Sequence, residues 1–239
     1  DYFIEQLTNG LIVGGIYALI ALGYTLIYGV LQFLNLAHGE FYMMGSFFGF
    51  FTMVAVGGPA TAVIPIWLMI TLMFLVAIGG GALLGVAVER FAYRPLRKSR
   101  RLAALISALG VSLFLQSAAL LLFGAKIRLY DTGMFINLRT GFNIGTARID
   151  ITEVLVVVLS VSLMVGLWIM VNRSQFGRAM RAVAVDQDAA VMNGIDVDRI
   201  IVITFALSSG LAGAAGVMAG LLLFPVDQYM GRIYTAASA

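Results

Sequence analysis

Two polar intervals hold the side chains that could do chemistry in this sequence. The first, Asn35-Leu36-Ala37-His38-Gly39-Glu40, contains the only histidine and sits between two apolar segments. In its plainest form such a break is a tight turn. Ionisable groups flanked so closely by apolar sequence, however, normally face a bundle interior or a water-filled cavity. A broken helix also exposes backbone groups that bind a polar solute. Asn35, His38, Gly39 and Glu40, with Tyr24 on the preceding segment, are therefore the candidate residues of a solute path. Metal binding does not follow, because one His and one Glu are too few ligands. No second carboxylate or nucleophile stands nearby to suggest hydrolysis. A G-x-x-x-x-G-K phosphate loop is also absent, so ATP-driven work would need its ATPase on a separate chain.

The second interval, residues 172–199, carries Arg173, Arg178, Arg181 and Arg199 with Asp186, Asp188, Asp196 and Asp198, and cannot sit in lipid. From Arg178 to Met192 it has no Gly or Pro, and Ala182, Val185, Ala189 and Met192 recur at helical spacing, which predicts one short helix with an apolar face. Gly194 is placed to stop it in a left-handed turn, and Asp196 or Asp198 to cap the next helix. The alternative is a solvated connector.

The elements that must position these intervals are membrane helices. Of 239 residues, 61% are hydrophobic and only 11% charged, against roughly 25% in soluble domains. Mean hydropathy is +0.99. A net charge of +3 would suggest nucleic acid if it clustered on a soluble module. Instead Arg90, Arg94, Arg97, Lys98, Arg100 and Arg101 fall in one loop between apolar segments, where the excess of basic residues in cytoplasmic loops is sufficient cause. The absence of cysteine excludes disulfides and thiolate chemistry. No cleavable signal peptide is expected, since a basic leader is lacking and the first apolar segment is long enough to span.

Apolar segments at 10–31, 41–56, 64–88, 102–123, 154–171 and 200–224 predict about six spanning helices in an all-α, polytopic membrane protein. The second is short, and the alternation fails if it re-enters. Gly10 with Gly14, Gly45 with Gly49, Gly79 to Gly81 with Gly85, and the Ser208 to Gly220 face are assigned to close helix packing. Gly57-Gly58-Pro59 and Pro225 are assigned as stops. Ser107, Ser112, Gln116 and Ser117 are assigned as interhelical hydrogen-bond partners, with a solute pathway as the alternative. Orientation follows from the basic loop: it and residues 172–199 are expected in the cytoplasm, residues 126–153 as an irregular stretch outside, and the N-terminus outside. No low-complexity tract or internal repeat is evident.

Several runs resemble the membrane subunit of Liv-type branched-chain amino-acid ABC importers. They are Gly23-Tyr24-Thr25-Leu26-Ile27-Tyr28-Gly29 leading into Asn35-Leu36-Ala37-His38-Gly39-Glu40, Tyr42-Met43-Met44-Gly45-Ser46, and Glu89-Arg90-Phe91-Ala92-Tyr93-Arg94-Pro95-Leu96-Arg97 with Leu105-Ile106-Ser107-Ala108-Leu109-Gly110. Phe176-Gly177-Arg178-Ala179-Met180-Arg181-Ala182 before Gly194-Ile195 completes the set. The likeness runs from about residue 7 to 231. Asp188-Ala189-Ala190-x-x-x-Gly194 further resembles the loop by which such permeases rest on their ATPases. The resemblance implies one permease domain over 1–239 with a cytoplasmic coupling loop at 172–199. Arg178, Arg181, Asp188, Ala189, Ala190 and Gly194 are the coupling candidates.

It also implies two ATPase subunits that hold ATP, a homologous second permease subunit, a periplasmic substrate-binding protein and a bacterial inner-membrane location. No catalysis, metal or cofactor is expected in this chain, and no nucleic acid. Family members continue past Gly231 through further spanning helices, so this sequence is expected to be a fragment at its C-terminal end. Urea or short-amide permeases are close relatives and leave the solute open. A channel or secondary transporter is the alternative on sequence alone, and a membrane-embedded enzyme a third.

Overall fold

A computed structural model describes residues 2–32, 34–56, 65–96, 101–130, 142–144, 147–222 and 226. Its helices are α1 (Tyr2–Leu31), α2 (His38–Ala55), α3 (Ile66–Val88), α4 (Arg101–Phe123), α5 (Ile151–Arg173), α6 (Gln175–Val185), α7 (Gln187–Met192) and α8 (Val197–Leu221). Helices α1, α3, α4, α5 and α8 supply five segments long and apolar enough to cross a membrane, and the 18-residue α2 is the sixth hydrophobic helix. The expected polytopic, helical fold is thus what forms. One addition is a small hairpin, β1 (Phe142–Ile144) against β2 (Ala147–Ile149), in the stretch expected to be irregular. The assigned stops at Gly57 to Pro59 and Pro225, and the glycines of the 126–153 stretch, lie outside the described residues.

α8 is the central helix, packed against α1, α2 and α3. Lipid provides no hydrophobic drive between helices, so small residues that let backbones approach are what hold them. A Cβ at Gly45 of α2 would strike the backbone of Gly213, one at Gly213 would strike the Ala77 carbonyl of α3, and one at Gly216 the Tyr42 carbonyl. Gly81 stands equally close to the Ser209 carbonyl. Gly49 and Gly220 make room for Tyr130, whose hydroxyl donates to the Ser46 carbonyl at 2.7 Å. Burial pushes that phenol well above its ordinary pKa, which keeps it a donor. The packing expected of Gly10 and Gly14 is not made among the described residues of this chain: nothing lies within 4 Å of a Cβ at either, so they face outward from it.

The contacts also fix how α2 lies. Its first residue, His38, meets Ser208 of α8, and its later residues meet Gly213, Val217 and Tyr130, so α2 runs parallel to α8. Ser208 is ten residues beyond Asp198, about 15 Å along the helix, or half of a roughly 30 Å hydrocarbon core. α2 therefore starts near mid-depth and runs to the end where Phe47 stacks on Phe123 and Arg128 lies over Phe50 and Phe51. α1 passes that level at Gly23 and continues to Leu31. Gln32, with φ of 55°, then turns the chain back.

The loop between α5 and α8 differs from expectation. α5 runs to Arg173, past the anticipated boundary at 172. The single helix expected from Arg178 to Met192 is two helices, because Asp186 is extended and its carboxylate accepts from the Asp188 and Ala189 amides at 2.9 and 3.0 Å. An aspartate that caps the following turn competes with continuing the preceding one. Ser174 caps α6 by accepting from the Gly177 amide at 3.0 Å.

The turn after α7 follows expectation. Gly194 has φ of 78°, the Ile195 amide donates to Ala190 O at 3.0 Å, and the Gly194 amide donates to Val191 O at 2.9 Å. This is the paired bonding of a left-handed helix stop. Asp196 then caps α8, accepting from the Arg199 amide at 3.0 Å.

Candidate functional site

Residues 34–37 run as irregular backbone between α1 and α2, with Asn35 and Ala37 buried and Leu34 and Leu36 exposed, and such backbone is tolerated at membrane depth only where protein satisfies its polar groups. Asn35 Oδ1 does this by accepting from the Ala37 amide at 3.1 Å and from the Tyr93 hydroxyl at 2.6 Å. The His38 amide donates to the Asn35 carbonyl at 3.1 Å. These bonds start α2 without a side-chain cap on its own N-terminal residue.

His38 is fully buried. Its ring lies on Gly23, where any Cβ would collide with it, and its centroid is 4.5 Å from that of Tyr24. Ser208 Oγ donates to the Gly23 carbonyl at 2.7 Å and sits 3.3 Å from His38 Nδ1. Gly39 is buried beside it. Two residues past His38, buried Glu40 accepts through Oε1 from Ser112 Oγ at 2.8 Å and from Gln116 Nε2 at 3.3 Å. The structure thus brings Tyr24, Asn35 and His38 together, and carries Glu40 to a second polar cluster on α4.

Ser112 and Gln116 are the interhelical partners anticipated. Tyr93 and Ser208 were not anticipated as partners of this break. Their only sequence signal is a tyrosine ahead of Pro95 and a hydroxyl on an otherwise apolar helix face. Asn35 Nδ2 has no hydrogen-bond partner among the described residues, although the residue is only 1% exposed.

None of these side chains lines either of two grooves among the described residues. A groove of about 570 Å³ between α3, α5 and α8 is walled by Ile78, Val86, Leu163, Met170 and Ala206, and another of about 320 Å³ lies between α1, α5 and α6. Among the described residues no group of three His, Asp or Glu could hold a metal.

On the loop, Arg178, Asp188 and Gly194 are exposed, whereas Ala189 is half-buried and Ala190 is 3% exposed. Arg181 is engaged within the chain, donating to the Val171 carbonyl near the end of α5. The apolar side chains standing out from the two corners are Val185, Val191 and Met192.

A family described as branched-chain amino acid transport system / permease component matches residues 6–235. The chain belongs to that permease family. The permease is 36% identical to the high-affinity branched-chain amino acid transport system permease protein LivH of Escherichia coli (strain K12) over 247 residues, covering 99% of this chain and 78% of that one. LivH of Salmonella typhimurium is 36% identical over 245 residues with the same coverage. BraD of Pseudomonas aeruginosa, also a high-affinity branched-chain amino acid transport system permease protein, is 39% identical over 244 residues, again 99% and 78%. No solved structure matches the permease.

Proposed function

We propose that this chain is the membrane-embedded permease subunit of an ABC importer and forms part of the translocation path for branched-chain amino acids. Two separate ATPase subunits drive it, a homologous second permease completes the membrane unit, and a periplasmic binding protein delivers the solute across a bacterial inner membrane. The observation that carries the path assignment is the buried polar break at mid-depth, where α2 begins in the bundle interior. Burying a donor such as Asn35 Nδ2 without a partner costs about 1–3 kcal/mol, a cost a packing residue would avoid. Tyr24, Asn35, His38, Gly39 and Glu40 shape the path at this level.

The two-helix loop of α6 and α7 is the docking element for the ATPase, and the chain itself performs no chemistry on the solute. Membership of a transport-permease family supports this division of labour.

Purification of the full transporter and reconstitution into lipid vesicles tests the reading. Leucine uptake should require the binding protein and ATP, with two ATPase subunits in the purified complex. Uptake that ignores ATP and follows a solute or proton gradient would establish a channel or secondary transporter instead. Competition by urea or a short amide, but not by isoleucine or valine, would reassign the solute.

A further inference from the structure

A continuous set of contacts joins the loop before α8 to the buried break before α2, and it passes through one widened turn. Residues Glu89–Tyr93, at the end of α3, form a π turn, closed by the Arg94 amide donating to the Glu89 carbonyl. Arg94–Leu96 then tightens into a 3-10 turn at Pro95, which has no amide to continue the helical ladder. Buried residues recur every four positions along this helix at Ala77, Gly81, Gly85, Glu89 and Tyr93, with Val88 buried beside them. Steps of four overshoot a 3.6-residue turn, and the wide turn takes up part of that drift at the end of the helix. In ordinary winding Tyr93 would stand about 40° further round the helix than Glu89. With the wide turn, Tyr93 is 2% exposed, its ring packs 5.3 Å from that of Phe205, and its hydroxyl holds Asn35.

The next residue, Arg94, points the other way along the same end of the bundle. Its Nη2 lies 2.6 Å from Asp198 Oδ2, two residues past the aspartate that caps α8 and four past the Gly194 turn. Both partners are about half exposed, 45% and 53%, so the pair contributes little to stability and its consequence is geometric. Adjacent residues cannot move independently, since their Cα atoms are held about 3.8 Å apart.

We propose that Tyr93 is a positioning residue for the solute path, and that Arg94 couples its position to the start of α8 so that movement of the α6–α7 loop reseats Asn35. The two-state element is the π turn. Returning it to ordinary α-helical winding rotates the Tyr93 and Arg94 backbone together, which takes the Tyr93 hydroxyl off Asn35 while the long Arg94 side chain keeps its reach to Asp198. This rests on the ATP-driven reading above, and supplies a route from the docking loop to the break that does not pass along α8 alone.

The experiment uses the complete transporter in vesicles, with uptake and ATP hydrolysis measured on the same preparation. Tyr93→Phe removes one hydroxyl and leaves the ring against Phe205. It should assemble normally and hydrolyse ATP, with solute moved per ATP lowered about three- to tenfold, the span expected for one net hydrogen bond. Arg94→Asp should lower the same ratio, and combining it with Asp198→Arg should restore it. A Tyr93→Phe transporter with the wild-type ratio, or one in which uptake and hydrolysis fall together, overturns the proposal, as does a charge exchange that restores nothing. Wild-type protein whose uptake ignores ATP overturns the importer reading itself, which is a separate outcome.

Discussion

Gly45 of α2 and Gly213 of α8 meet backbone to backbone, with no space for a side chain between them, and Gly213 stands equally close to Ala77 of α3. Three helices therefore converge on one residue that has no side chain. Gly45→Val or Gly213→Val should destabilise the bundle by at least the ~1–3 kcal/mol typical of overpacking, because the colliding atoms are backbone and cannot rotate away. Gly14→Val is the contrast, since nothing lies within 4 Å of its added Cβ. Thermal unfolding in detergent should show a lower midpoint for the first two and little change for the third.

The buried polar break should matter for transport rather than for assembly. His38→Ala combined with Glu40→Gln removes the ring seated on Gly23 and the carboxyl that accepts from Ser112 and Gln116. A typical hydrogen bond contributes about 0.5–1.5 kcal/mol, so some stability is lost with the activity. Uptake should fall to background at normal protein level in the membrane. Full uptake in this double variant would remove both residues from the path.

Orientation can be read directly because the chain has no cysteine. The Arg94 and Asp198 pair puts the basic loop and the start of α8 at one end of the bundle, and Arg128 bridges to Val226 at the other. With basic residues inside, Lys126→Cys should react with an impermeant thiol reagent added outside intact cells, and Asn193→Cys should not. The reverse pattern would invert the topology.

The loop of α6 and α7 should couple through its corners. Val185 and Met192 are 88% and 84% exposed, while Ala190 is packed within the chain, so a large residue at 190 would damage the loop itself rather than its contact surface. Val185→Asp with Met192→Asp should insert normally and lose ATPase subunits on purification. Gly194→Val should also reduce uptake, because a left-handed conformation costs a side-chain-bearing residue about 1–2 kcal/mol. Retained ATPase and wild-type uptake in both would make the loop a plain connector.

Composition and spacing alone determine much of this protein. Six hydrophobic helices, a basic loop, a polar break with one histidine and a loop stopped by Gly194 are all legible, because each depends on local chemistry: transfer of apolar side chains to lipid, the freedom of glycine, the placement of charge. The Asp186 break was missed because an aspartate inside a helical pattern is compatible with either a solvent-facing position or a cap, and only the backbone decides which. The outward faces of Gly10 and Gly14 were missed for a related reason, since small residues four apart permit close packing without naming a partner.

What tertiary structure alone decided is which distant groups meet. Asn35 and Tyr93 are 58 positions apart, and Glu40 and Gln116 are 76 apart, and no periodicity links them. Their pairing depends on the depth at which α2 starts and on the rotation that the π turn gives to the end of α3. Both are set by how closely glycine lets three backbones converge on α8, a property of the assembled bundle and of no segment by itself.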